Sequence, residues 1–227
     1  MREGGEIALR HWKRDPQVWD KGGGEGPVTE ADLAVNDRLA ALLRDARPDY
    51  GWLSEEGPAD PGREALARVF ILDPIDGTRA FIAGERAFSI SLAVAEAGRI
   101  VAAAVYLPAD DVLYAAEAEG PATRNGVVIK ASAPGDPAQV LASGAALAPE
   151  QWPGGLPRLK RHFRASLAWR LCLVAEGAFD AMVTPRATWE WDIAAGNLIA
   201  ERAGARVSDC NGAALAFNRA DPRVDGV

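Results

Sequence analysis

The sequence predicts a layered α/β protein with an antiparallel-rich first lobe and a second α/β lobe. Three observations carry this reading. Phe88 to Ala116 alternates apolar and small residues, with turns at Ala97-Gly98 and Pro108-Ala109-Asp110-Asp111, as a three-stranded meander does. Helical periodicity flanks it, at Val35, Leu39, Leu42 and Leu43 before and at Leu167, Leu171, Val174 and Ala175 after. Beyond the meander, short strands are separated by helices rather than by tight turns. The small, polar, proline-containing stretch Ala131 to Pro137 reads as the seam. It divides a first lobe (1–134) from a second lobe (135–227).

In chain order, Glu6 to Trp12 reads as the middle of a helix, and Asp221 to Val224 closes without a capping element. A natural protein somewhat longer at both ends is expected from these two edges. Lys21-Gly22-Gly23-Gly24-Glu25-Gly26-Pro27 is a mobile lid by composition, without the Gly-Lys-Ser/Thr ending of a P-loop. Thr29-Glu30-Ala31-Asp32 is a helix start, with Thr29 as N-cap and Asp32 placed for a capping box. The helix runs to Pro48. Trp52 to Ser54 is a strand leading into Glu55 and Glu56; on a strand these neighbours face opposite ways, so only one of them could join a given site. Val69 to Leu72 is a strand buried on both faces. After the meander, Asn125-Gly126 marks a further hairpin. Val140–Ser143 and Phe179–Thr184 are strands around a helix over 166–176 that stops at Gly177. A second helix, Asp192 to Ala203, ends at Gly204 and leads into a strand, Ala205 to Ser208.

Composition narrows the function. The chain is 48% hydrophobic and 25% charged, as ordinary globular proteins are, and 227 residues can bury a substantial core. A net charge of −7 argues against a long nucleic acid as partner, but suits a small anion drawn to a bound cation. Two cysteines, Cys172 and Cys210, form no disulfide framework or metal-ligand spacing, and two histidines, His11 and His162, are too scattered for zinc. No run approaches the ~18 apolar residues of a membrane span, and the amino end lacks a signal-peptide pattern, so a cytoplasmic location is expected.

The chemistry concentrates at Asp73-Pro74-Ile75-Asp76-Gly77-Thr78. Pro74 should end regular pairing and Gly77 permits a sharp turn, which puts two carboxylates on one corner. Such a pair is either a solvated Asx-type turn or a site for a hard cation, which neutralises the mutual repulsion; Mg²⁺ suits all-oxygen ligands. A helical turn after Gly77 would aim free N–H groups at the same point and attract phosphate. Far along the chain, Asp192 sits where a loop becomes a helix, in Trp189-Glu190-Trp191-Asp192, as N-cap or metal ligand. The tryptophans are packing residues, although an indole beside a site can stack on a base.

Leu53-Ser54-Glu55-Glu56, the Asp73–Thr78 corner and Trp191-Asp192-Ile193-Ala194-Ala195-Gly196 together resemble the metal motifs of the inositol monophosphatase superfamily, in its order. Leu53-Ser54-Glu55-Glu56 again, with Gly77 to Ile82, Leu173-Val174-Ala175-Glu176-Gly177 and Glu190-Trp191-Asp192, resembles its 3′(2′),5′-bisphosphate nucleotidase branch more than its inositol branch. The resemblance implies the layered αβαβα sugar-phosphatase fold and Mg²⁺-dependent hydrolysis of a small-molecule phosphate monoester. The expected substrate is adenosine 3′,5′-bisphosphate, with inositol 1-phosphate as the alternative and a non-catalytic metal- or phosphate-binding module as the remote one; a homodimer is the family expectation. It implies Glu55, Asp73, the Ile75 carbonyl, Asp76 and Asp192 as metal ligands, with Asp32 near a further metal or its water. Glu55 and Thr78 would orient and deprotonate the attacking water, and Gly77 and Thr78 would offer N–H groups to phosphate. Where the nucleotidase pattern has Gly-Ser-Ser, this chain has Arg164-Ala165-Ser166-Leu167, leaving Ser166 and Arg164 as candidates for substrate contacts.

Overall fold

A computed structural model of the chain describes residues 1–23 and 26–227. The predicted lid therefore includes two residues, Gly24 and Glu25, that lie outside the described ones. Helix α1 (Arg2–His11) is followed by a small antiparallel pair, β1 (Val18–Asp20) and β2 (Pro27–Thr29), then by α2 (Glu30–Ala46). Thr29 caps α2 through its side chain, and Asp32 reaches back to the Thr29 N–H, the predicted capping box. Next come β3 (Gly51–Ser54), β4 (Arg68–Asp76), the short helix α3 (Thr78–Ile82), and the meander β5 (Ser89–Glu96), β6 (Arg99–Leu107) and β7 (Val112–Glu117). The Asn125-Gly126 turn joins β8 (Thr123–Arg124) to β9 (Val127–Val128). These strands form one seven-stranded sheet in sequence order, antiparallel except for β3 beside β4.

The second half of the chain builds β10 (Ala138–Ala142), β11 (Leu159–His162), α4 (Leu167–Ala175), β12 (Ala181–Val183), β13 (Thr188–Trp189), α5 (Glu190–Arg202) and β14 (Arg223–Val224). Strands β11, β10 and β12 make a parallel three-stranded sheet, and β13 pairs with β14. Strand β11 has no periodic signal in the sequence. Ala205 to Ser208, expected as a strand, belongs to no sheet. Strand propensity is context-dependent, and here the segment forms no ladder with a neighbour.

Alternation along β4 explains the layering. Phe70 and Leu72 face α1 and α2, packing with Ala8, Val35, Leu39 and Trp52. Val69 and Ile71 point the other way, into a core shared with Leu171 and Cys172 of α4 and Ile193 and Leu198 of α5. Beyond α4 and α5 lies the smaller sheet, which packs on Ala146 and Leu147 of a single-turn 3₁₀ segment (Ala145–Leu147) that a second one, Pro149–Gln151, follows. Helices, sheet, helices, sheet and a thin last helical layer are thus stacked in the expected αβαβα order. Among the described residues no helix is long and apolar enough to cross a membrane.

Candidate active site

The corner is built differently from its sequence expectation. Strand β4 does not stop at Pro74; it continues to Asp76, with Asp73 opposite Ser91 and Asp76 opposite Ser89 on β5. The register shifts between those two pairs, so Pro74, which has no N–H to give, lies in a bulge that leaves it unpaired. The bulge brings the carboxylates together where a regular strand would spread residues 73 and 76 to opposite faces. Gly77 ends the strand at φ +100°, and a Cβ there would come within 2.9 Å of the Ala87 carbonyl oxygen, so only glycine fits.

Asp73, Asp76 and Asp192 each present an oxygen, and the three oxygens lie within 4.8 Å of one another. Asp192 arrives on the first turn of α5. The N-cap of that helix is Trp189, and Asp192 is its third residue, accepting from the Trp189 N–H at 3.1 Å and the Thr188 hydroxyl at 2.6 Å. Asp76 accepts from the Ser166 hydroxyl (2.6 Å) and from the backbone N–H groups of Leu167 (3.1 Å) and Ala168 (2.7 Å), at the start of α4. Asp73 accepts from the Ile75 N–H. Asp32 is fully buried; the Thr29 N–H and hydroxyl hold one of its oxygens, and the Thr78 hydroxyl lies 3.3 Å from the other and 3.1 Å from the Ile75 carbonyl.

Glu55 lines the same cavity, of about 510 Å³, as Asp73, Ile75, Asp76, Gly77, Thr78 and Asp192. It stands outside the tight triad. Its Oε1 is 2.7 Å from the Lys21 ammonium, which also lies 2.5 Å from Glu56 Oε1. Opposite-face alternation therefore fails for this pair: β3 ends at Ser54, and both glutamates lie in the bend beyond it, free to converge on one cation.

The electrostatics are those of crowded, dehydrated anions. Burial, then the neighbouring Asp192, pushes Asp76 up to about 7. Burial raises Asp73 well above the carboxylate range, with Glu55 and the other acids adding to the effect. Burial likewise lifts Asp32 to about 6 and raises Glu55 and Asp192. Burial opposes the charge of Lys21, but Glu55 and Glu56 outweigh it and leave its pKa raised. A hard divalent cation among these oxygens would relieve the repulsion, and the donor set contains only the oxygen ligands such an ion takes.

Sequence reasoning missed the groups that hold and face this cluster. Thr188, Arg170 and Arg186 carry no motif, and Lys21 and Arg79, though inside stretches that do, have no role assigned by them; Arg79, Arg170 and Arg186 line the cavity beside the carboxylates. Ser166, a candidate substrate contact, is fully buried against Asp76 and Ser89 and is closed to substrate. Arg164 is not among the cavity-lining residues; its guanidinium lies over the Trp169 and Phe179 rings. Trp189 and Trp191 stack on each other at 4.9 Å beside a smaller recess reaching Lys21 and Glu55.

A sequence model described as the inositol monophosphatase family matches residues 1–226. Among curated proteins, the chain is 35% identical over 204 residues to the 3′(2′),5′-bisphosphate nucleotidase CysQ of Salmonella typhimurium, covering 85% of this chain and 80% of that one. It is 34% identical over 219 residues to a fructose-1,6-bisphosphatase/inositol-1-monophosphatase of Thermotoga maritima, covering 93% and 82%. An inositol-1-monophosphatase of Mesorhizobium japonicum is 34% identical over 221 residues, covering 86% and 76%. Among solved structures, a Thermotoga maritima IMPase superposes with a TM-score of 0.84 at 32% identity, over 98% of this chain and 87% of that one.

Proposed function

The chain belongs to the inositol monophosphatase family and is a metal-dependent phosphomonoester hydrolase; from that premise we propose that it removes the 3′-phosphate from adenosine 3′,5′-bisphosphate with Mg²⁺. The observation that supports this substrate is the wall facing the carboxylates. Three guanidinium side chains, Arg79, Arg170 and Arg186, line the cavity together with Asp73, Asp76 and Asp192. A monophosphate held by metal needs no further cations, whereas a bisphosphate brings a second dianion that guanidinium groups match in geometry and charge. Arg170 is buried and its side chain is fixed by the Arg164 and Ala165 carbonyls and the Phe163 ring, so it is already oriented. The relatives divide between nucleotidase and inositol phosphatase at similar identity, so inositol 1-phosphate is the competing substrate.

Glu55, Asp73, the Ile75 carbonyl, Asp76 and Asp192 would hold the ions, with Asp32 near a further one. Bound Mg²⁺ supplies two things, a lower pKa for the attacking water and neutralisation of charge on the phosphate and the leaving oxygen. The protein orients the reactants. The Thr78 hydroxyl points its proton to Asp32 and Ile75, so its oxygen is free to accept from the water and set its direction of attack. Glu55 would take the proton, and burial raises its pKa above the ordinary glutamate value, the direction that strengthens a base. The N–H groups of Gly77 and Thr78 would donate to phosphate oxygens. No covalent intermediate is needed: Ser166 is engaged with Asp76, and the thiol of Cys172 is buried with its pKa pushed far up. The same reading includes a cytoplasmic location, a homodimer, and a boundary between lobes near residues 134–135.

Phosphate release from adenosine 3′,5′-bisphosphate and from inositol 1-phosphate, measured over a Mg²⁺ series, tests the assignment. The bisphosphate should turn over faster, and Arg170→Ala should remove about ten-fold or more of that preference while sparing inositol 1-phosphate, since charged hydrogen bonds contribute about 1.5–3 kcal/mol. Equal rates on both substrates would overturn the nucleotidase reading. Glu55→Gln should lower turnover by about 100-fold or more, the usual scale of general-base catalysis. An unchanged rate would mean that Glu55 is not the base.

A further inference from the structure

Three carboxylates of the site each have one oxygen that accepts from a hydroxyl and a backbone N–H together. One oxygen of Asp76 receives both the Ser166 hydroxyl (2.6 Å) and the Ala168 N–H (2.7 Å). One oxygen of Asp192 receives both the Thr188 hydroxyl (2.6 Å) and the Trp189 N–H (3.1 Å). One oxygen of Asp32 receives the Thr29 hydroxyl (2.5 Å) and the Thr29 N–H (2.8 Å). A carboxylate oxygen has two lone pairs, so each pair of donors saturates one oxygen and leaves the other as the available ligand atom. For Asp192 and Asp32 the donors belong to the same helix start as the acid. For Asp76 they come from a segment 90 residues away.

We propose that Ser166 is a positioning residue: its hydroxyl, with the Ala168 N–H, fills Asp76 Oδ2, so that metal can take only the lone pair of Oδ1 that the Leu167 N–H (3.1 Å) leaves open, and this sets the affinity of the site for divalent metal. The inference rests on the metal-binding reading of the cluster. Ser166 is suited to the task because its proton has one destination. Its oxygen already accepts from the Trp169 N–H at 2.9 Å, and the Ser89 hydroxyl lies 3.0 Å from it. Ser89 then donates to Ser166, and Ser166 donates to Asp76 Oδ2. All three side chains are buried, Ser89 and Ser166 completely, so water cannot replace a missing donor. Without the hydroxyl, Oδ2 regains a lone pair while the Leu167 and Ala168 N–H groups stay in place, so the carboxylate can offer either oxygen to metal, with an ordering cost when metal enters. Outer-shell partners of metal ligands are typically worth about 10–100-fold in affinity.

The test is Mn²⁺ binding followed by electron paramagnetic resonance and calorimetry, on full-length protein with no substrate present. Ser166→Gly is the first variant, because glycine keeps most of the helix-capping function of serine. It should weaken Mn²⁺ binding by about 10-fold or more, with the number of sites unchanged and the melting temperature close to wild type. The metal concentration giving half-maximal turnover should rise by more than maximal turnover falls. Ser89→Ala leaves the α4 cap and the Ser166–Asp76 contact in place, and should weaken binding by less than Ser166→Gly does, as befits a donor one step further out. Unchanged Mn²⁺ affinity in a folded Ser166→Gly protein overturns the proposal and leaves Ser166 a helix cap. Should that variant not fold, unchanged affinity in Ser89→Ala overturns it equally. Failure of the wild type to bind Mn²⁺ would be a different result, removing the metal reading itself and this proposal with it.

Discussion

Asp76 and Asp192 meet in one triad, yet they are held in opposite ways. Asp192 is fixed by its own neighbours, Thr188 and Trp189, within a single helix start. Asp76 is fixed by Ser166, Leu167 and Ala168, so its position depends on α4 docking against the end of β4. The N–H groups at the start of α4, which would otherwise lack partners, are spent on a carboxylate from another part of the chain. The difference teaches that half of this centre is a local device and half exists only once the layers have packed. A locally held ligand keeps its geometry whenever its helix forms. A remotely held one reports on the whole fold.

The comparison can be broken at its strongest point by removing either acid. Asp76→Asn and Asp192→Asn should each cut phosphate release by more than the ~100-fold that an outer-shell contact is worth, despite their different supports. Steady-state rates at saturating Mg²⁺ decide this; a survivor among the two would show that the triad is not a single working unit.

Acidity should come next in size. In the metal-free protein the folded state holds protons that the unfolded chain releases, because Asp76 is raised from an ordinary 3.8 to about 7 and Asp32 to about 6. Folded pKa values above the unfolded ones mean stability that is present below about pH 4 from these groups and lost as pH rises through about 7. The melting temperature of metal-free protein should therefore fall between pH 5 and pH 8, and added Mg²⁺ should reverse the trend. Metal competes with those protons, so its affinity should climb by up to about ten-fold per pH unit for each proton displaced, and level off above 7. A flat affinity from pH 6 to 8, measured by calorimetry, would count against a shared cation at Asp76.

The smallest expected effect sharpens the local side of the contrast. Thr29→Ala removes one half of the capping box of α2 and should cost about 1 kcal/mol of stability, read from denaturant unfolding. Asp32 keeps the Thr29 N–H, so catalytic metal affinity should move less than in Ser166→Gly. A larger loss there would mean that Asp32 belongs among the primary ligands.

Legibility in the sequence followed the same divide. Thr29, Asp32 and Gly77 were readable because their partners lie within a few residues and turn and cap chemistry is local. The meander and the two later helices were readable from periodicity, to within two residues at their ends. The bulge at Pro74 was not, because whether a strand stops or resumes depends on what β5 offers beside it. The convergence of Glu55 and Glu56 on Lys21 was hidden too; nothing near residue 21 announces a partner 34 residues on. Ser166 reads in the sequence as a candidate substrate contact, but burial is a property of packing, and here packing turns its hydroxyl inward.

By itself the sequence determined which acids this protein owns, which of them sit at helix starts, and the family motifs they compose. Periodicity and capping act over a few residues, and the chain specifies them wherever it goes. Tertiary structure alone decided that Asp73, Asp76 and Asp192 would share one buried space, that Arg170 and Arg186 would face them, and that α4 would clamp Asp76. Those outcomes depend on distance and dehydration between remote segments. Both are fixed only when the helices close over the sheet and water leaves.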